Sequence, residues 1–107
     1  MKISCRCGAV LVDGTDDLPH KAHLIPDQDW TRTLDALDAT IERAAQARID
    51  ANTACMQARK DLTEPRRILW QCRTCGRLYI EGRDRQLHGF APESASVDRE
   101  LFRTHRS

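Results

Sequence analysis

The sequence predicts an α+β fold, in which both ends of the chain form a small antiparallel β-sheet and a long helical segment is inserted between them. Two cysteine pairs, each followed directly by glycine, lie near opposite ends of the chain among short β-prone runs. The stretch between them, residues 30–62, has heptad-spaced apolar residues and contains neither glycine nor proline. The 107 residues match the size of one domain.

We therefore predict a single domain over residues 1–107 with four kinds of segment. The β region comes from two separate parts of the chain, and a connector precedes the helical insertion. The predicted ranges are 1–12 and 66–92 for the β region, 13–28 for the extended connector, 29–64 for the helical insertion and 93–107 for a polar tail.

The composition indicates a thin hydrophobic core that needs extra stabilisation. The chain is 40% hydrophobic but only 5% aromatic, and many of its apolar residues are alanine, which buries little area. Small domains with thin cores are usually held together by a metal ion, disulfides or oligomerisation. We expect one of these devices here.

The β region is predicted from short apolar runs around the cysteines. Residues 1–12 have the pattern of a hairpin, with Ile3 before the first cysteine pair and a β-prone run after it. Near the other end, residues 68–71, 77–81 and 86–90 are β-prone, and a turn separates the last two runs.

The helical insertion is predicted to begin with an acidic cap, Asp27 or Asp29, and to end before Pro65. Its heptad pattern favours one continuous helix, with a helical hairpin broken near residues 50–53 as the alternative. The pattern fits either a helix packed on its own domain or a self-associating helix. This apolar seam, in which Arg48 is the one polar member, consists of Trp30, Leu34, Leu37, Ile41, Ala44, Arg48, Ala51, Cys55, Ala58 and Leu62.

The cysteine pairs, Cys5/Cys7 and Cys72/Cys75, have the spacing of metal-binding turns. A Cys-x-x-Cys turn directs two sulfurs to one ion, and zinc prefers four soft or borderline ligands in a tetrahedron. The first pair, Cys-x-Cys, is one residue shorter than this pattern. Four protein sulfurs would leave no open coordination position, so the sequence predicts a structural Zn²⁺ site.

Several other readings of the cysteines remain open at this stage. Cys72 and Cys75 fit a redox dithiol, and iron or an iron–sulfur cluster uses similar ligands. Structural disulfides conflict with the cytoplasmic location that we expect from the N-terminal sequence and the lack of a membrane-spanning apolar stretch. His88 is an alternative fourth ligand in place of Cys5.

Three further residues invite a functional interpretation but have simpler explanations. We expect Cys55 to be a small buried residue of the apolar seam. His20 and His23 lie in a proline-flanked segment, and we expect both to be exposed.

The two glycine-followed pairs and the Arg-Leu-Tyr-Ile run after the second pair resemble a zinc ribbon. In particular, they resemble small uncharacterised bacterial proteins with a long insertion between their two cysteine turns, or knuckles. The resemblance covers residues 1–12 and 68–90. It implies a fold and a metal ion but no specific task, because zinc ribbons serve in transcription, translation and protein docking.

The net charge of +1 conceals two opposed stretches. From Asp13 to Glu42 there are eight acidic and two basic residues, whereas from Glu64 to His88 there are six arginines against three acidic residues. A basic face with aromatic residues is typical of nucleic-acid binding. The candidate residues for such a face are Arg66, Arg67, Trp70, Arg73, Arg77, Arg83 and Arg85.

The sequence therefore favours a non-enzymatic zinc-binding module that contacts an unknown protein partner, with a homodimer as one possibility. No acid–base pair, nucleophile elbow or phosphate loop is recognisable in it. A nucleic-acid-binding zinc ribbon is the alternative, and we expect no membrane partner. In that alternative, Trp70 and Tyr79 would stack on nucleobases, whereas a core position for both is the simpler expectation.

Overall fold

The computed structural model describes residues 1–104, and this part of the chain contains six strands and two helices. The strands are β1 (Lys2–Ser4), β2 (Val10–Val12), β3 (Lys21–Leu24), β4 (Arg67–Gln71), β5 (Leu78–Glu81) and β6 (Leu87–Phe90). The helices are α1 (Asp27–Ala45) and α2 (Ala51–Thr63). The α+β class and the use of both chain ends for strands are confirmed.

The chain divides into two compact units. One comprises Met1–His23 together with the chain from Arg67 onward, and the other is Leu24–Arg66. In the first unit, β1 and β2 form an antiparallel hairpin, as predicted for residues 1–12. A second sheet has the strand order β3-β4-β5-β6, and its β4–β5 and β5–β6 pairs are antiparallel.

The hydrophobic core of the first unit is small and contains cysteine. Tyr79, Ala9, Ile68 and Cys75 pack around it while remaining partly exposed. The buried members of this core are Ile3, Cys5, Leu11, Trp70 and Cys72. Two of these five residues are cysteines, so this core depends on the sulfur site as well as on hydrocarbon burial.

A partly buried polar triad connects the end of β2 to two strands of the second sheet. Asp13 accepts a hydrogen bond from the indole Nε1 of Trp70 at 2.9 Å and pairs with Lys21 Nζ at 2.9 Å. Burial raises the pKa of Asp13, but the hydrogen bonds from Lys21 and Trp70 and the charge of Lys21 lower it by more than burial raises it. The pKa therefore lies below its ordinary value of 3.8. The charged carboxylate therefore fixes the orientation of the buried tryptophan.

The segment after β6 is held by a fully buried side chain, that of Gln71. Its amide Nε2 donates to the carbonyl of Asp98 at 2.9 Å, and its Oε1 accepts from the N–H of Leu101 at 2.9 Å. A buried amide is stable only when its donors and acceptors are paired. The predicted polar tail is thus ordered against β4 at these positions.

The helical segment is a hairpin, so the favoured continuous helix is wrong and the alternative is correct. Helix α1 ends in a Schellman motif, in which Arg48 N–H donates to the Arg43 carbonyl at 2.9 Å and Ala47 N–H to the Ala44 carbonyl at 3.1 Å. Ala47 has φ +54°, a left-handed conformation that usually requires glycine. The heptad pattern gave no sign of this turn, because alanine occupies the glycine position.

The starts of the two helices differ in how they are capped. Asp50 caps α2 by accepting a hydrogen bond from the N–H of Thr53 at 2.7 Å. For α1 the N-cap is Pro26 and no side chain caps it, so the predicted cap at Asp27 or Asp29 is wrong. Both aspartates lie inside the first turn, where their charge still complements the helix dipole.

The interior of the hairpin is polar. Thr33 and Thr40 are the buried residues of α1, and α2 has none. Thr40 Oγ1 donates to Asp61 Oδ2 at 2.8 Å, and Gln57 Nε2 donates to Asp61 Oδ1 at 2.8 Å. Much of the apolar seam is consequently left at the surface.

A glycine substitution tests the turn between the helices. Ala47→Gly removes the cost of placing a Cβ in the left-handed region, so we expect the protein to gain roughly 0.5–1 kcal/mol in unfolding free energy. The exposed Ala39 in the middle of α1 is the matched control, because Ala39→Gly there should lose about 1 kcal/mol. Urea unfolding measures both, and equal losses in the two variants would contradict the hairpin.

Candidate metal centre

The first cysteine pair lies in the turn between β1 and β2. The N–H of Cys5 donates to the Ala9 carbonyl at 2.8 Å, and the N–H of Gly8 donates back to the Cys5 carbonyl at 3.0 Å. Gly8 has φ +98°, which an L-residue rarely adopts. A Cβ at this glycine would meet nothing within 4 Å, so its conformation, and not steric crowding, accounts for the glycine.

The second pair lies in the turn between β4 and β5 and has the same hydrogen-bond pattern. The N–H of Cys72 donates to the Arg77 carbonyl at 2.8 Å, and the N–H of Gly76 donates to the Cys72 carbonyl at 2.7 Å. Gly76 has φ +87°, and a Cβ there would lie 2.6 Å from Val97 Cγ1. At this turn, conformation and crowding both require glycine.

The four sulfur atoms converge, although 65 positions of the chain separate Cys7 from Cys72. All four lie within 4.8 Å of one another, with 3.5 Å between the Cys5 and Cys75 sulfurs and 3.7 Å between those of Cys7 and Cys72. Four sulfurs at about 2.3 Å from a central zinc ion would be about 3.8 Å apart in a tetrahedron. This cluster can therefore hold a metal ion.

The positions of the sulfur atoms also distinguish between a metal site and two alternatives, structural disulfides and a site that includes His88. All five cysteines are free thiols, and sulfur separations above 3 Å are much longer than the roughly 2.05 Å of a disulfide. The cluster includes Cys5 and not His88, whose Nε2 lies 3.0 Å from Asp84 Oδ2 instead. His88 as a replacement ligand is therefore wrong.

Two side chains of the second knuckle and β5 donate hydrogen bonds to sulfur. The Tyr79 hydroxyl donates to Cys5 Sγ at 3.2 Å while accepting from the N–H of Arg6 at 3.0 Å. The Arg77 guanidinium donates to Cys75 Sγ at 3.4 Å. Such contacts stabilise a thiolate and orient it toward a metal. The sequence suggested Tyr79 as a core or stacking residue and Arg77 as part of a basic face, because the contact between Tyr79 and Cys5 joins two different sheets and has no local signal.

These contacts give the thiols very different acidities. Burial raises the pKa of Cys5, but hydrogen bonds, first that from Tyr79, outweigh burial and lower it to about 6. Burial likewise raises the pKa of Cys75, and Arg77 lowers it by a larger amount. The backbone at Ala9 lowers the pKa of Cys7, yet desolvation and the three neighbouring sulfurs raise it to about 11. A central cation would relieve this mutual repulsion.

The residues considered for nucleic-acid binding have varied environments. Trp70 is 2% exposed, so its ring offers no open face for a nucleobase, whereas Tyr79 is half-buried against the core. Arg77 contacts a cysteine sulfur. Of the other candidate arginines, Arg66 and Arg67 are half-buried, whereas Arg73, Arg83 and Arg85 are exposed.

Two of the simpler expectations are wrong. His20 is buried, with its Nε2 at 3.0 Å from the carbonyl of Val12, because it packs between β2 and the start of the second sheet. His23 is exposed as expected. Cys55 is exposed, because α2 turns the side that carries Asp61, the partner of Thr40, toward α1, and Cys55 lies on a different side of the helix.

The chain belongs to the family described as "Domain of unknown function (DUF8617)", which matches residues 1–100. The matched range includes both cysteine pairs and both helices. No curated protein and no solved structure matches the chain. Among the described residues, neither helix has the length and apolar character needed to cross a membrane.

Metal content tests the cluster directly. We expect elemental analysis of the purified chain to give one metal ion per molecule and Cys72→Ser to lose it, because three sulfurs hold the ion far more weakly than four. The exposed Cys55 is the matched control, and Cys55→Ser should retain the full metal content. Equal loss in both variants, or none in either, would contradict the site.

Acid release of the metal tests the role of Tyr79. The hydrogen bond from Tyr79 helps to hold the pKa of Cys5 at about 6, so protons compete with the metal for this sulfur below that pH. Tyr79→Phe removes one hydrogen bond to the thiolate and raises the Cys5 pKa. We expect the midpoint of metal release to move upward by about half to one pH unit, measured with a chromophoric chelator. An unchanged or lower midpoint would exclude this role for Tyr79.

Proposed function

We propose that this chain is a non-enzymatic zinc-binding module of the zinc-ribbon type, in which Cys5, Cys7, Cys72 and Cys75 bind one structural Zn²⁺ and the helical hairpin contacts another protein. The observation that supports it most strongly is the convergence of four sulfurs from two glycine-ended knuckles within 4.8 Å. Tetrahedral sulfur sites of this kind are typical of structural zinc.

The structural role follows from the ligand set. Four protein sulfurs complete the coordination of zinc, so a substrate or water has no position at the ion. The buried members of the cluster, Cys5 and Cys72, lie in the same core as Trp70. Binding the ion would therefore close both knuckles and stabilise the thin core at the same time.

The exposed apolar residues of the hairpin support the proposal that the hairpin binds a protein partner. Trp30 is 48% exposed and Ile41 is 64% exposed. Large apolar side chains grouped on one surface are typical of protein interfaces. Nucleic-acid binding has less support, because Trp70 is buried and Arg77 contacts a thiol.

Cobalt substitution tests the zinc proposal. We expect Co²⁺ to bind with the intense visible absorption of a tetrahedral sulfur site, and one equivalent of Zn²⁺ to displace it. Removing the metal with a chelator should abolish the near-ultraviolet circular dichroism of Trp70, because the indole packs on the cysteines. A coloured iron protein as purified, or a chelator-insensitive Trp70 signal, would contradict a structural zinc ion.

The same preparation separates the two classes of partner. A nucleic-acid complex would weaken steeply with rising salt, with a slope that reflects the number of phosphates neutralised. We expect labelled single-stranded and duplex DNA and RNA to show no change in anisotropy at low salt. A salt-sensitive increase would favour nucleic-acid binding over protein contact.

A further inference from the structure

The two halves of the apolar seam lie on one side of the helical hairpin. Helix α1 ends at Ala45 and α2 starts at Ala51, and Thr33 and Ala36 near the start of α1 line the same cavity as Asp61 and Glu64 near the end of α2. The helices are therefore antiparallel. This places the N-terminal turns of α1 beside the C-terminal turns of α2.

Helical periodicity then gives the direction of each side chain. At about 100° per residue, Trp30, Leu34 and Ile41 lie roughly a quarter turn from the face of α1 that contacts α2. Leu62 and Cys55 lie roughly a quarter turn from the face of α2 that contacts α1. On both helices the rotation from the contact face to these residues has the same sense when each helix is viewed from its N-terminus. Because the helices run in opposite directions, these two rotations bring the residues to the same side of the hairpin.

We call this surface the hairpin face, and its members are exposed. Its large residues retain 48% exposure at Trp30, 42% at Leu34, 64% at Ile41 and 44% at Leu62. The buried positions of the hairpin are threonines, and Asp61 accepts one hydrogen bond across the helix pair, from Thr40, and one from Gln57 of its own helix. The hairpin thus has a polar interior and an apolar outer face, the reverse of a helix pair that is stable alone.

The charges beside the hairpin face differ between its two edges. Asp38 borders it on α1 and Arg59 borders it on α2, and both side chains are exposed. Asp38 lies seven residues before the end of α1 and Arg59 eight residues after the start of α2, so they are at about the same distance from the turn. Among the described residues, neither forms an ion pair.

We infer that the hairpin face binds the same face of a second copy of this chain, forming an antiparallel four-helix bundle. A two-fold axis parallel to the helices places α1 of one copy against α2 of the other. Asp38 then meets the oppositely charged Arg59 of the second copy, twice per dimer. An axis across the helices would instead place α1 on α1 and bring the acidic edges together, which like-charge repulsion disfavours.

This inference rests on the proposed function, because it identifies the protein partner of the hairpin as a second copy. Alanine and cysteine along the α2 part of the face, at positions 51, 55 and 58, allow close approach of the helices, and the larger residues of α1 fill the space. The paired flanking charges act like the e and g positions of a coiled coil and select the orientation.

The test exchanges the two charges in the full-length, zinc-loaded chain. Sedimentation equilibrium should give a dimer for the natural sequence, whereas Asp38→Arg alone and Arg59→Glu alone should each raise the dissociation constant by at least about tenfold. Mixing the two variants should restore a heterodimer, since Arg at 38 of one chain then meets Glu at 59 of the other, and the second contact keeps the natural pair of Asp38 and Arg59. Asp35→Arg is the control, because the exposed Asp35 faces away from the hairpin face and its dimer should be unchanged.

A variant within the face and a metal assay complete the experiment. Ile41→Asp should be monomeric and should not recover on mixing, because it buries a charge in the apolar contact. Zinc is measured in every sample, so that a dimer lacking zinc would overturn the proposed function and leave this inference standing. A zinc-loaded monomer at high micromolar concentration, or a dimer indifferent to both charge variants, would overturn the inference.

Discussion

The convergence of four cysteine sulfurs from opposite ends of the chain is the constraint on which the rest of this structure depends. The two knuckles have the same hydrogen-bond pattern, and each ends in a glycine with a left-handed backbone. Two of the sulfurs belong to the core that also contains Trp70. Without a cation, desolvation and the neighbouring sulfurs raise the pKa of Cys7 to about 11, and a positive charge at the centre of the cluster would favour its ionised form.

The surroundings of the cluster explain how a thin core can be sufficient. Tyr79 and Arg77 donate to sulfur, and the Tyr79 bond ties β5 to the first knuckle. Gln71 and Asp13 use buried polar groups to attach the segment after β6 and to orient Trp70. Apart from the bond between Arg77 and Cys75, each of these contacts bridges segments that are distant in sequence, so specific polar contacts supplement the small apolar area in holding the unit together.

The sequence predicted those features whose signals are local. The strands around each cysteine pair follow from β-prone runs, and the grouping of the cysteines follows from their spacing and from the glycines after them. Strand β3 and the sulfur contact of Tyr79 depend on pairing between distant segments, which no local pattern encodes. The burial of His20 was missed for the same reason, since its backbone carbonyl accepts a hydrogen bond from the N–H of the distant Gln71.

The helical insertion shows how a true periodicity can lead to a wrong conclusion. The heptad runs without interruption through residue 48, yet Ala47 turns the chain where glycine would normally be expected. Asp50 is a favourable N-cap residue three positions before Thr53, and it indicated the start of a second helix. The uninterrupted heptad pattern led us to favour a continuous helix instead. The same heptad places apolar residues on one side of both helices, so it describes a surface of the hairpin and not its interior.

X-ray absorption spectroscopy at the zinc edge of the purified protein tests the sulfur site most directly. The account predicts a single shell of four sulfur atoms at about 2.3 Å, with no nitrogen or oxygen neighbour. A shell with two sulfurs and two lighter atoms would contradict it, because the knuckles would then not share one ion.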